Sequence, residues 1–218
     1  IWLVLAPLAV FPPLITLGYD LRVMEAGMRG TEATPPFLGW GQLVRDGIRS
    51  FALGLVYLIP ALVVLGVASG IIAGVETGEL ALSERAETAV LGVTTAFAGG
   101  FVLLYVCVFL YIRPATLAVF AATGQVRAAL SPQQVLRVTL SREYAVGWAV
   151  AVIVLLIGWV IAVPLQLLII GFFVAFYVRT VAYYAYGGGA TEAVPALTEM
   201  SLGAERLSPM AQESTGPS

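Results

Sequence analysis

Residues 144–186 read YAVGWAVAVIVLLIGWVIAVPLQLLIIGFFVAFYVRTVAYYAY, and this stretch decides the class of protein. Apart from tyrosine, Arg179 is its one ionisable residue. A single bilayer crossing needs roughly 20 apolar residues, so a stretch of this length can cross a membrane, turn and cross back. The sequence therefore predicts a membrane protein that contains a helical hairpin.

Composition supports the same class. Hydrophobic residues make up 60% of the 218 residues and charged residues 11%, which leaves too little polar surface for a water-soluble fold. The apolar runs are unbroken and do not alternate in polarity, so they favour helices over transmembrane strands. We predict an all-α protein, a polytopic transmembrane helical bundle.

The apolar runs divide this bundle into about five spans. A transmembrane domain of residues 1–190 is expected, with a tight turn at Pro164 and a final helix that ends at the glycines 187–189. The polar residues 191–218 are predicted to form a disordered cytoplasmic tail. The predicted spans are residues 1–19, 51–75, 89–112, 144–162 and 165–186.

Arginine placement orients the spans. The stretches 19–50 and 112–143 are rich in Arg, whereas the loop 76–88 is rich in Glu. The positive-inside rule therefore assigns the first two stretches and the C-terminus to the cytoplasm of a multi-pass cell-membrane protein. Because the first span would then begin outside, and because Ile1 is not Met, we expect a segment before it.

Both Arg-rich stretches contain a predicted amphipathic helix on the cytoplasmic membrane surface, at residues 36–50 and 131–143. Aromatic residues at such positions serve as interfacial anchors. Tyr followed closely by Arg recurs at the ends of three spans, followed by an apolar extension and a Gly, and this pattern suggests an internal repeat. The predicted anchors are Trp40, Tyr144, Trp148, Tyr183 and Tyr184.

Three arginines form the candidate site. Arg22, Arg113 and Arg179 could gather into a cytoplasmic-side cluster that binds lipid phosphate or another anion. The alternative for Arg179 is that its side chain extends to the membrane surface beside the tyrosines. Two acids, Asp20 and Glu25, are expected to pair locally with Arg22 and Arg29.

A second candidate feature is the glycine series Gly66, Gly70 and Gly74, whose spacing lets another helix approach closely. Such packing would take place within the chain or in a dimer. The partners expected from the sequence are membrane lipids, including anionic ones, and another subunit in a homo- or hetero-oligomer.

Several functions are excluded by residue content. The chain has no His and one Cys, which argues against zinc sites and against His-activated nucleophiles. We therefore expect no metal, no cofactor and no enzymatic activity. Acidic residues outnumber basic ones, 13 to 11, which argues against a nucleic-acid partner.

Four segments resemble archaeal, largely haloarchaeal, membrane proteins of the domain-of-unknown-function family number 4013. They are LGYDLRVMEAGMRG (17–30), WGQLVRDGIRSFALGLVYLIP (40–60), RPATLAVFAATG (113–124) and the region FYVRTVAYYAYGGG (176–189). The resemblance covers nearly the whole chain except the tail. It implies a multi-span membrane protein and supplies no activity. The family tends to have an apolar residue where Asp20 stands, so the resemblance implies no structural role for that residue.

Three functions agree with these features. The favoured prediction is a non-enzymatic scaffold or accessory subunit that organises lipid or a partner. The alternatives are a small transporter or channel, with helices broken at Pro60, Pro114 or Pro164, and an anionic-lipid-handling protein that uses the arginine cluster.

Overall fold

A computed structural model describes residues 2–80 and 82–194, with side chains from residue 12 onward. The described part is 85% helix and contains no strand, so the all-α prediction is confirmed. Most of the predicted tail lies outside the described residues. Its first four residues, 191–194, are described and pack against the helices: Thr191 donates a hydrogen bond to the Met28 carbonyl at 3.2 Å, and Val194 is buried.

The described chain contains seven α-helices. The two longest connections are irregular in their described residues, which are 29–39 in one and 77–80 and 82–83 in the other. The last two helices are joined by a 3₁₀ helix, Gln166–Leu168. In chain order the helices are α1 (Trp2–Met28), α2 (Trp40–Glu76), α3 (Glu84–Thr123), α4 (Val126–Ala129), α5 (Pro132–Thr139), α6 (Arg142–Leu165) and α7 (Ile170–Ala190).

Within residues 2–80 and 82–194, three helices are long and apolar enough to cross a membrane: α2, α3 and α6 with its 3₁₀ extension. They contain the predicted spans 51–75, 89–112 and 144–162. The predicted spans 1–19 and 165–186 are not among them, so the expected number of five is not supported. In α7 the charge of Arg179 and the tyrosines and glycines that follow it reduce the mean hydropathy.

The helices are longer than the apolar runs that they contain. The surface helix predicted at 36–50 does not exist as a separate element, because α2 begins at Trp40 and continues through the span. The second predicted surface helix is present as α5, a shorter element with Pro132 at its first turn. Its orientation relative to a membrane remains a prediction.

Prolines do not break the long helices. Pro60, Pro114 and Pro164 all lie inside continuous helices, in contrast to the broken helices that a transporter would need. The turn predicted at Pro164 occurs a few residues later, where Ile169 adopts a φ of 63°. Proline lacks an amide hydrogen, but membrane helices tolerate this loss where neighbouring groups compensate.

Glycine ends two of the three apolar extensions as predicted. Gly30 follows α1 with a φ of 63°, and Gly124 follows α3 with a φ of 65°, a left-handed conformation that glycine adopts without a steric penalty. The third expectation is wrong, because α7 continues through Gly187 to Ala190. Glycine there serves close packing between helices.

The described residues form two compact units. The first lies within Ile1–Phe51 and Pro114–Ser218, and the second is Ala52–Arg113. Unit 1 contains α1, α4, α5, α6, α7, the first turns of α2 and the last turns of α3. Unit 2 contains most of α2 and α3, joined by the Glu-rich loop.

Unit 1 is built on close helix crossings. In α1, Gly18 lies against the backbone of Leu43 in α2, and a Cβ atom on Gly18 would overlap the Leu43 carbonyl oxygen. In α7, Gly187 lies equally close to the backbone of Met24 in α1. The contacts of Asp20 with Arg179 and of Met28 with Thr191 show that α1 runs parallel to α7. The contacts of Gly158 with Val178 and of Gly147 with Gly189 show that α6 runs antiparallel to α7.

Unit 2 is a helical hairpin with a narrow packed seam. On α2, Ala61, Ala68 and Val75 are buried at a spacing of seven and Leu53 is buried near the start of the unit, while Ala98 is buried on α3. The Tyr105 hydroxyl donates a hydrogen bond to the Tyr57 carbonyl across the seam. Most other large apolar side chains of this hairpin point outward.

Candidate functional site

The central feature of unit 1 is an ion pair between Asp20 of α1 and Arg179 of α7. The Arg179 guanidinium donates a hydrogen bond to the Asp20 carboxylate, although the two residues are 159 positions apart. The Asp20 side chain is 3% exposed, whereas that of Arg179 is 37% exposed. The pair therefore joins two helices that are far apart in sequence, with the acid on the inside.

An aromatic ring completes the environment of Arg179. Its guanidinium carbon lies 5.5 Å from the centre of the Tyr183 ring, within the range of a cation–π contact. Tyr183 is itself buried and packs edge-on against Tyr186, with ring centres 5.8 Å apart. Arg179 is thus held from two sides, by a carboxylate and by a ring.

The position of Arg179 along its helix differs from the expectation. A helix starting near Leu165 would place Arg179 about 21 Å from its start, at depth within a hydrocarbon core of about 30 Å. The structure starts α7 at Ile170, nine residues before Arg179, which corresponds to about 14 Å. Arg179 therefore lies near the middle of α7, and the expected extension of its side chain to the surface is replaced by the contact with Asp20.

Arg22 has a different role. Its Nη1 atom donates hydrogen bonds to the carbonyls of Pro36 at 3.2 Å and Leu38 at 2.5 Å, in the segment before α2. Tyr19, one turn earlier, donates to the Pro35 carbonyl at 3.3 Å. One face of α1 thus fixes the path of the chain into α2.

A small aromatic cluster supports the same segment. Phe37 stacks on Tyr19 with ring centres 4.1 Å apart, and Phe176 of α7 lies 5.6 Å from Tyr19 and 6.0 Å from Phe37. The segment is therefore held by α1 and α7 together. Trp40 lies at its edge and is 60% exposed, and its role as an interfacial anchor stays a prediction.

The three arginines of the predicted cluster are divided between the two units. Arg22 and Arg179 belong to unit 1, whereas Arg113 belongs to unit 2, where it lies close to Gly54. Both unit 1 arginines donate to acceptors of the chain itself. A site made of all three arginines stays a prediction.

The local ion pairs were predicted in part. Glu25 and Arg29 form the expected pair one helical turn apart, with side chains 35% and 59% exposed. The expected pair of Asp20 with Arg22 is wrong, because Asp20 bonds to Arg179 and Arg22 to backbone carbonyls. Helical spacing alone does not reveal a partner on another helix.

The remaining predicted anchors divide by burial. Tyr144 is fully buried and Tyr183 is buried, so neither faces the surroundings of the unit as an anchor would. Trp148 and Tyr184 are half-buried. Tyr144 lies at the start of α6, where its amide donates a hydrogen bond to the Ser141 side chain at 3.3 Å.

The glycine series on α2 makes little contact within the described chain. Around Gly66 and Gly70, no atom lies within 4 Å of where a Cβ would be, and Gly74 is 3.4 Å from the Leu80 side chain by the same measure. The seam of unit 2 is made instead by alanines on another face. Packing of Gly66 and Gly70 within the described chain is therefore not observed, and packing against another molecule stays a prediction.

The glycines that do permit close packing were not singled out from the sequence. Gly18, Gly47 and Gly187 all lie against a backbone carbonyl of another helix. The run 187–189 was interpreted as a helix end because glycine commonly ends helices. No spacing within α7 identifies these positions, since the contacts come from α1 and α6.

An open cavity of about 460 Å³ lies where the start of α6 meets the end of α7. Arg142 and Glu143, of opposite charge, line it together with Gly188 and Gly189. This lining has no net charge to select an anion. Across residues 2–80 and 82–194, no group of three or more His, Cys, Asp or Glu side chains could hold a metal ion.

Comparison with known proteins identifies the family. The family model described as a protein of unknown function, DUF4013, matches residues 2–170. The chain belongs to the DUF4013 family. The match includes α1 to α6 and ends at the first residue of α7, so Asp20 lies inside it and Arg179 outside. A search of curated proteins and a search of solved structures each found no match to this DUF4013 protein.

Proposed function

We propose that this DUF4013 protein is a non-enzymatic integral membrane scaffold or accessory subunit. The observation that supports this proposal most is that Arg22 and Arg179 donate hydrogen bonds to acceptors within the chain. These bonds hold α1, α7 and the segment before α2 together. Side chains used in this way support a structural role. The protein resides in the cell membrane with its C-terminus in the cytoplasm, in contact with lipid.

The alternatives have less support. A transporter with discontinuous helices would need breaks near the prolines, whereas the helices that contain Pro60, Pro114 and Pro164 are continuous. An anionic-lipid site would need donors that are not already used within the chain. No specific observation favours either alternative over the scaffold.

A scaffold needs a surface for its partner, and we assign that surface to the glycine face of α2. Gly66 and Gly70 are exposed and one helical turn apart, the small-xxx-small arrangement that lets membrane helices approach closely. The partner is accordingly a transmembrane helix, from a second copy or from another subunit.

Cysteine cross-linking in native membranes tests this role. In a chain whose only cysteine, Cys107, is replaced by Ser, the Gly66→Cys and Gly70→Cys variants are treated with a short bifunctional maleimide. Leu65→Cys is the control, because Leu65 is 42% exposed but lies about 100° around the helix from Gly66.

We expect a discrete cross-linked species at the glycine positions and much less at the control. A product of twice the chain mass identifies a second copy, and one of another mass identifies a different subunit. Equal cross-linking at all three positions, or none, contradicts the proposed surface. Anion flux through vesicles containing the purified chain would contradict the scaffold role itself.

A further inference from the structure

Helix α7 has a charge where a membrane helix should be apolar. Although it is long enough for a span, it is not among the helices of the described residues that are apolar enough to be candidate spans, and Arg179 lies near its middle. Nevertheless, α7 packs antiparallel to α6 along most of its length: Gly171 contacts the Leu165 region, Val178 contacts Gly158, and Gly189 contacts Gly147. Helix α6 is a candidate span, so α7 occupies the same layer.

The neighbouring helix gives the depth of the charge. Val178, next to Arg179, touches Gly158, and Gly158 lies within the uncharged run from Ala145 to Leu165. At 1.5 Å per residue, Gly158 is about 20 Å from Ala145 and about 11 Å from Leu165. If α6 crosses the bilayer, the charge of Arg179 is well inside the hydrocarbon.

We propose that Asp20 of α1 is the counter-charge that allows α7 to enter the membrane beside α6. Asp20 is almost completely buried and bonds directly to Arg179, while Tyr183 covers the guanidinium from another side. The last helix thus depends on the first for its insertion. This inference goes beyond the scaffold role and does not depend on it.

The pair is not symmetric in what each partner can do alone. An arginine side chain keeps its proton in proteins, so Arg179 without Asp20 remains charged. A carboxyl group can take up a proton and become neutral, so Asp20 without Arg179 avoids burying a charge. An unpaired Arg at the centre of a membrane helix disfavours insertion by about 100-fold. Loss of Asp20 should therefore disfavour the insertion of α7 far more than loss of Arg179 does, because the second change removes the charge from α7 itself.

Accessibility of α7 to a membrane-impermeant maleimide tests the proposal in the full chain. The parent carries Cys107→Ser and Ala182→Cys, since Ala182 is fully buried and lies one turn after Arg179. Labelling is measured in unsealed membrane fragments, where the reagent reaches both membrane faces. The variants added to this parent are Asp20→Ala, Arg179→Ala, the double Asp20→Ala/Arg179→Ala, and Glu25→Ala as the control.

We expect the parent to be protected and Asp20→Ala to raise the labelling rate at least 10-fold. Arg179→Ala and the double variant should both stay within about 2-fold of the parent, because neither buries an unpaired arginine. Glu25→Ala breaks an exposed pair on the same helix and should change nothing.

Two results would overturn the proposal. One is labelling of Asp20→Ala no greater than that of Glu25→Ala. The other is a double variant labelled as strongly as Asp20→Ala alone, since removal of the arginine must rescue α7 if its charge is the obstacle. A readily labelled parent would contradict the packing of α7 from which the inference starts. None of these outcomes depends on the cross-linking of Gly66 or Gly70.

Discussion

Substitution of Gly187 by Ala should weaken unit 1 by separating α7 from α1. The added Cβ would overlap the backbone carbonyl of Met24, which is fixed within α1 and cannot rotate away. Overpacking of this kind costs about 1–3 kcal/mol, while replacing glycine by alanine in a helix gains about 1 kcal/mol. Because the overlapped atom is backbone, we expect a cost near the upper end and a net loss of about 2 kcal/mol.

The neighbouring Gly188 provides a matched control on the same helix. A Cβ there would lie 3.8 Å from the Gly27 carbonyl oxygen, an ordinary contact, so Gly188→Ala keeps the helix-propensity gain without overlap. A loss of 1 kcal/mol lowers the melting temperature by about 2–4 °C in chains of this size. Gly187→Ala should thus melt about 4–8 °C below the wild type, and Gly188→Ala about 2–4 °C above it.

The melting temperatures are measured by heating the full chain in mild detergent and quantifying the monodisperse fraction by size-exclusion chromatography. Equal melting temperatures for Gly187→Ala and Gly188→Ala would refute the close crossing of α1 and α7. A fall in both would show that α7 tolerates no added methyl group for a reason unrelated to this crossing.

Three further substitutions probe single contacts by the same melting assay or by hydrogen exchange. Ser50→Ala should stabilise the protein by about 1 kcal/mol, because the Ser50 hydroxyl is buried without a hydrogen-bond partner among the described residues; a lower melting temperature would contradict this. Arg22→Ala should speed amide exchange in residues 31–39 about 5-fold, since it removes donors worth about 1 kcal/mol to the carbonyls that fix this segment; unchanged exchange would argue against that role. Tyr105→Phe should cost about 0.6 kcal/mol, the usual value of a hydrogen bond between membrane helices, and a melting temperature unaffected within 0.5 °C would indicate that the bond to Tyr57 is not formed.

Hydropathy located the spans better than it located the helices. The runs at 51–75 and 89–112 lie inside α2 and α3, but the helices extend well beyond them, to Trp40 and Thr123. Apolar runs report where the chain favours lipid, whereas backbone hydrogen bonding continues into polar sequence wherever a neighbour packs against it. The prediction of a separate surface helix before span 51–75 is wrong for this reason, because α2 is continuous from Trp40 through the span.

The ion pair was beyond the reach of sequence pattern. Glu25 and Arg29 are four residues apart, so helical geometry alone predicts their contact. Asp20 and Arg179 are 159 residues apart, and their contact requires α1 and α7 to be neighbours. The two helices can be neighbours because glycines such as Gly187 allow their backbones to approach closely. The sequence shows where the glycines are, but it does not show which helix they contact.

The distribution of buried residues argues for the structural role on separate grounds. Only 17%, 6% and 17% of the most apolar windows of α2, α3 and the α6 segment are buried inside the protein. By contrast, almost every residue of 18–28, of 115–122 and of 182–190 is buried or half-buried, and all three segments belong to unit 1. The segment 18–28 contains Tyr19, Arg22 and most of the apolar extension that follows them, and the segments 115–122 and 182–190 lie after Arg113 and Arg179. All three segments supply small and apolar side chains to the core of unit 1, whereas the apolar windows of the candidate spans leave most of their surface outside any core. That division is what a protein that presents its spans to lipid or to another helix requires.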